Sequence, residues 1–120
     1  MKILLTLLED QIAPRFDLTT KVLIAESEDG LLSGKFKTFI LPGPSADELC
    51  SLILKENTNI VVCGGIEDTH YQYLLWKKIS VIDRVIASSE IALKQILNST
   101  LKPGAIIGFP SIQFQGKADE

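Results

Sequence analysis

The stretch from Ile60 to Ile79, IVVCGGIEDTHYQYLLWKKI, constrains the fold more than any other part of the chain. Four apolar residues, Ile60 to Cys63, make the run expected of a strand buried on both faces. Gly64-Gly65 then interrupts it, because paired glycines allow backbone angles and close approaches that other residues resist. Asp68 or Thr69 is placed to cap the helix that follows, with Gln72 three residues beyond Thr69 to close a capping box. The reading is strand, glycine turn, helix. Such a unit aims backbone N–H groups and the positive end of a helix dipole at one spot outside the sheet, a place suited to an anion. Cys63 and His70, the only histidine in the chain, flank that spot.

At 120 residues the chain has the length of one domain able to bury a core without staples. An apolar content of 46% argues against disorder except at the ends. The net charge of -3, with no basic stripe interleaved with aromatics, gives no reason to expect nucleic acid as a partner. MKILLTLL begins like a signal peptide, but its apolar run is short, and Glu9-Asp10 stands where small cleavage-site residues would be needed. No later run approaches the length of a membrane span, so no membrane association is expected. Cys50 and Cys63 form neither a CxxC nor a zinc pattern, and the expected setting is a reducing cytoplasm.

In chain order, Lys2 to Leu8 reads as a continuously apolar central strand apart from Thr6. Glu9 to Thr20, EDQIAPRFDLTT, reads as a long polar loop rather than a hairpin, and loops of this length inside a domain tend to be functional. Within it Arg15 offers a planar, permanently charged fork for an anion, or else a salt bridge to Asp17, while Phe16 offers an apolar anchor. Lys21 to Glu26 and Ser33 to Leu41 make an antiparallel pair joined through Glu28-Asp29-Gly30, and Lys35 and Lys37 suit the second of these to a sheet edge. Pro42-Gly43-Pro44 stops the sheet. Ser45 and Glu48 form a capping box, and Ala46, Leu49, Cys50, Ile53 and Leu54 recur at helical spacing up to about Asn57, which makes Cys50 a core residue.

Beyond the central stretch, Val81 to Ala87 reads as a strand interrupted by Asp83 and Arg84. Ser88 or Ser89 caps a last helix with Ala92, Leu93, Ile96 and Leu97 on its apolar face. Lys102-Pro103-Gly104 marks a turn before a short extended segment, Ala105 to Phe109. One domain over residues 1–112 is expected, with a polar, frayed tail from 113 to 120. Strands alternating with helices give an α/β layout. With the hairpin on one side of the first strand and the Ile60 strand on the other, the connections diverge and create a switch point, where open α/β sheets favour ligands. The Arg15 loop and the Gly64-Gly65 turn are then expected to face each other across that crevice.

The combination of IAPRFD after an N-terminal strand, VVCGGIEDTHYQYL, ISVIDRVIASS and then KQIL resembles the dinitrogenase iron–molybdenum cofactor biosynthesis family over about residues 1–104. The resemblance implies a three-layer α/β/α, ribonuclease H-like motif with a mixed five-stranded sheet ordered 3-2-1-4-5, strand two antiparallel. It also implies a non-catalytic carrier or scaffold for an iron–sulfur or iron–molybdenum-type cluster or precursor, bound transiently and not retained on purification in air. Proteins that donate and accept the cluster are the implied partners. The family's loop motif falls on Pro14, Arg15 and Phe16, and its glycine turn on Cys63, Gly64 and Gly65. Many relatives carry histidine where this chain has Arg15, and glycine where it has Asp17. That leaves Cys63 and His70 as the metal-ligand candidates, with Arg15 as an electrostatic partner for an anionic cluster. Two such ligands are too few for a closed zinc or iron–sulfur site, which suits cargo that is passed on.

Bland readings stand beside these. Cys63 fits a small core residue, His70 a solvated one, and Gly64-Gly65 a close helix–sheet contact. Tyr71, Tyr73 and Trp76 fit core or partner surface alike. Glu67-Asp68 would repel an anion and suit capping instead. A metal-free protein-interaction or regulatory module is therefore the alternative function. A nuclease would need several carboxylates holding metal ions on the sheet, and the first strand carries none, so no enzymatic activity is expected.

Overall fold

The computed structural model of the chain describes residues 1–107. The expected extension of the last segment to Phe109 and the tail from 113 to 120 lie outside the described residues. In order the elements are β1 (Lys2–Leu8), β2 (Gln11–Ile12), a 3-10 turn (Phe16–Leu18), β3 (Lys21–Glu28), β4 (Leu31–Ile40), α1 (Ala46–Lys55), β5 (Ile60–Val62), α2 (Asp68–Trp76), β6 (Ser80–Ile82) and α3 (Ser89–Leu97). The sheet runs β4-β3-β1-β5-β6, with β2 as a sixth strand paired to β1. Apart from that extra strand, this is the path expected from the resemblance. β3 is antiparallel to β1, while β5 and β6 are parallel to their neighbours.

Alternation along β1 splits the core in two. Ile3, Leu5 and Leu7 pack on one face with Ala92, Leu93 and Ile96 of α3. Leu4 packs on the other with Leu49 and Ile53 of α1, Leu74 of α2 and Phe16 of the first loop. Helix, sheet, helix is the resulting order of layers. Because β1 has covered neighbours on both faces, it needs apolar residues at nearly every position, and this is why its sequence reads as one run.

Local chemistry sets several boundaries. Asp29 and Gly30, with φ of 54° and 78°, form the two-residue turn of the β3–β4 hairpin, the twist-compatible geometry that Asp-Gly favours. Ser45 caps α1 by accepting from the Glu48 N–H at 3.1 Å, and Ser88 caps α3 by accepting from the Ile91 N–H at 3.2 Å. Asn57, at φ 57°, follows α1 in the left-handed conformation, which asparagine tolerates better than most residues.

Three expectations require correction. The first loop does form a hairpin: Glu9 adopts φ 57° and turns the chain back so that Leu7 pairs with Ile12. The strand expected over Val81 to Ala87 ends at Ile82, because Arg84 takes φ 56° and re-aims the chain. Val85 to Ala87 instead lies between β2 and residues 105–107, with Ala87 accepting from the Ile12 N–H and Ile86 from the Ile107 N–H. Finally, α2 starts at Asp68 with Glu67 as its N-cap and no side-chain cap, so the Thr69–Gln72 box does not form. Gln72 reaches Asp68 instead, at 3.4 Å.

Candidate functional site

The first loop and the glycine turn meet beyond the C-terminal ends of β1 and β5, and they meet through backbone. The Gly65 N–H donates to the Pro14 carbonyl at 2.7 Å, and the Phe16 N–H donates to the Gly65 carbonyl at 2.8 Å. These bonds make a short parallel bridge between Arg15 and Gly65. No crevice separates the two segments at this point. The glycine turn therefore spends the Gly65 N–H, expected to face a ligand, on the protein's own loop.

Gly64 is glycine for a steric reason. A Cβ there would stand 2.4 Å from the Ala13 carbonyl oxygen and 2.5 Å from that of Pro14. At Gly65 the nearest such atom would be 3.5 Å away, ordinary contact. Phe16, with no solvent exposure, inserts under the loop into the core shared by α1 and α2. The loop is thus pinned at two consecutive points, by strand-like bonds and by a buried ring.

The charged side chains close on one another. Arg15 forks onto Asp17, with Nε and Nη2 donating to the two carboxylate oxygens at 3.1 and 2.6 Å. The bond from Arg15 and its charge hold the Asp17 carboxyl below its ordinary range, and the same bond raises the guanidinium above its own. Glu67 adds to the field on Arg15. His70 Nε2 lies 3.5 Å from Glu67 Oε1, and its ring centroid stands 6.0 Å from that of Phe16. Two carboxylates therefore accompany the one guanidinium.

Arg15 and His70 nonetheless open onto different clefts. Arg15 lines one of about 410 Å³ with Leu8, Pro14 and Leu18. His70, its side chain 19% exposed, lines another of about 350 Å³ between α1 and α2, with Asp47, Cys50, Thr69 and Tyr73. On the far side of Pro14 a third cleft, about 490 Å³, is lined by Leu8, Ile12 and Ile86 among others. Leu8, Leu18 and Ile86 are each at least half exposed. This apolar rim was not visible in the sequence, because Leu8 and Ile86 sit in runs that otherwise read as buried strand.

Cys63 is sealed. It has no exposed surface, and burial, with Asp83 nearby, pushes its thiol up to about 12. Cys50 is raised by burial and then by Asp47, to about 11. The thiolate, not the thiol, is the nucleophile and the metal ligand, and burial disfavours that form at both cysteines. Among the described residues no group of three or more His, Cys, Asp and Glu side chains is arranged to hold a metal ion.

The Cys63 shift carries a pH prediction. An unfolded thiol ionises near 9, and the native one near 12. Between those values the unfolded state binds fewer protons, so stability is intact below about pH 9 and falls as pH rises further. Cys63→Ala is expected to flatten that alkaline slope in urea-unfolding curves taken from pH 8 to 11. An unchanged slope would show that Cys63 titrates alike in both states.

No family model matches the chain, and no curated protein matches it. Solved structures do. A protein named PH0822 superposes with a TM-score of 0.78 over 86% of this chain and 94% of its own, at 18% identity. A "putative dinitrogenase" (MJ0327) from Methanocaldococcus jannaschii superposes at 0.67 over 85% of this chain and 92% of its own, with 23% identity. An NMR structure of MJ0327 gives 0.70 at 20% identity, covering 86% and 92%. At these identities the likeness establishes a shared fold. Among the described residues no helix is long and apolar enough to cross a membrane.

Proposed function

We propose that the protein is a non-catalytic carrier that takes an iron–sulfur or iron–molybdenum-type cluster, or a precursor of one, as transient cargo at the C-terminal edge of the sheet. The observation that carries this reading is the placement of His70. It is the one histidine of the chain, part-exposed in a cleft beside the pinned loop, on a fold shared with a protein described as a dinitrogenase candidate. An imidazole is a borderline ligand able to hold metal at an open position. Cys63, the other ligand candidate, fits the role less well, since its side chain is fully enclosed. Arg15 has its charge engaged by Asp17. A single nitrogen ligand gives a weak hold, which favours transfer over storage.

Anaerobic titration of the purified protein with iron–sulfur and molybdenum–sulfide clusters, followed by visible absorbance and gel filtration, tests the proposal. Colour should co-elute with wild type, be lost in His70→Ala and persist in Cys63→Ala. A wild type that stays colourless would overturn it.

A second reading has its own observation. The exposed apolar rim of Leu8, Leu18 and Ile86, on two clefts either side of Pro14, favours a metal-free protein-interaction module. A colourless wild type would leave this reading standing.

A further inference from the structure

The apolar rim beside the first loop continues past its two clefts. Ile106, 57% exposed, bridges Ile86 in a parallel pair, so the two side chains share one face. That face turns away from the core under α3, into which Val85, Ala87 and Ile107 pack. Ile86 and Leu8 both line the cleft of about 490 Å³. Ile106, Ile86 and Leu8 therefore make one exposed apolar row, the kind of surface that marks a contact site.

The described residues stop beside this row. The Ile107 N–H donates to the Ile86 carbonyl at 2.8 Å, the Ile12 N–H donates to the Ala87 carbonyl at 3.0 Å, and Ile12 pairs with Leu7. Three strand spacings, about 14 Å, thus separate the backbone at Ile107 from the end of β1 that carries Leu8. Residues 108–114 read GFPSIQF, and a fully extended segment of that length spans up to roughly 24 Å. It carries two of the five phenylalanines, Phe109 and Phe114, with Ile112 between them. Gly108 permits a change of direction after Ile107, and Pro110 favours extended backbone at Phe109.

From the exposed row, the bond between Ile107 and Ile86, and the reach of the residues that follow, we propose that residues 108–114 fold back across the rim as an internal strap. Phe109 enters the cleft beside Ile86, and Ile112 and Phe114 cover Leu8. Apolar surface leaves water on both sides of the contact, and the tether makes the encounter intramolecular. His70 lines a different cleft, so the strap is independent of the carrier proposal. A partner protein would have to displace it to reach the rim.

The test is NOE spectroscopy on the full chain, with isotope filtering in a mixture of labelled and unlabelled copies. Ring protons of Phe109 and Phe114 should show contacts to the Leu8 and Ile86 methyls within one molecule. The double variant Phe109→Ser, Phe114→Ser should abolish these contacts and shift the same methyl resonances. Contacts seen only between differently labelled copies would overturn the proposal and make the occupant a second copy of the chain. Methyl resonances that the double variant leaves unchanged would also overturn it, and would leave the rim open to another protein.

Discussion

Gly64→Ala should destabilise the protein by about 3 kcal/mol, at the upper end of what overpacking costs. The atoms that an added methyl would strike are the carbonyl oxygens of Ala13 and Pro14 and the Pro14 carbonyl carbon, at 2.4 to 2.7 Å. None of them can rotate aside as a side chain would. Pro14 and Phe16 are hydrogen-bonded to Gly65 on either side of the clash, so relief requires the first loop to part from the turn. Gly65→Ala is the matched control. Its new methyl would meet Pro14 at 3.5 Å, and its φ lies outside the left-handed region, so stability should stay within about 1 kcal/mol of wild type, with a small gain from a stiffer unfolded chain. Urea-unfolding midpoints and the amide shifts of Arg15 and Phe16 measure both. Equal midpoints for the two variants would show that the loop yields freely, contrary to the pinned geometry.

Phe16→Ala has the larger expected cost, about 3–5 kcal/mol, the range for deleting a buried aromatic ring. Phe16 is the largest side chain among those fully buried, and it joins the cluster of Leu4, Val22, Leu49 and Leu74. Removing it leaves a cavity beneath the 3-10 turn and takes away the ring that faces His70. Thermal and urea unfolding should show the loss, and the His70 ring resonances should shift at the same time. Phe16→Leu should restore most of the stability, since it refills most of the volume. If Phe16→Ala cost under about 1 kcal/mol, the ring would not anchor the loop, and the loop would have to be held by its backbone bonds alone.

These two residues differ in how readable they were. Phe16 stands out in a polar loop, and a lone aromatic there has few uses except as an anchor. Gly64 was read as a turn glycine, and its actual constraint, the approach of Ala13 and Pro14, involves residues about fifty positions away. Periodicity cannot register such a contact. The Arg15–Asp17 pair lay between the two: adjacent opposite charges suggested it, and the fork geometry made it.

The short-range chemistry of the chain determined most of the architecture. Asp29-Gly30 set the β3–β4 hairpin, Ser45 and Ser88 began their helices, and the apolar runs of Lys2–Leu8 and Ile60–Val62 marked the central strands. Each of these signals acts within a few residues, where intrinsic backbone and hydrogen-bond preferences decide the outcome. The tertiary structure alone decided the β2 hairpin, since Glu9 carries no turn signature and adopts φ 57° only because Ile12 gains β1 and Ala87 as partners. It also decided that Arg15 and His70 open onto separate clefts. Cleft membership depends on which distant segments pack together, and no local pattern of residues carries that information.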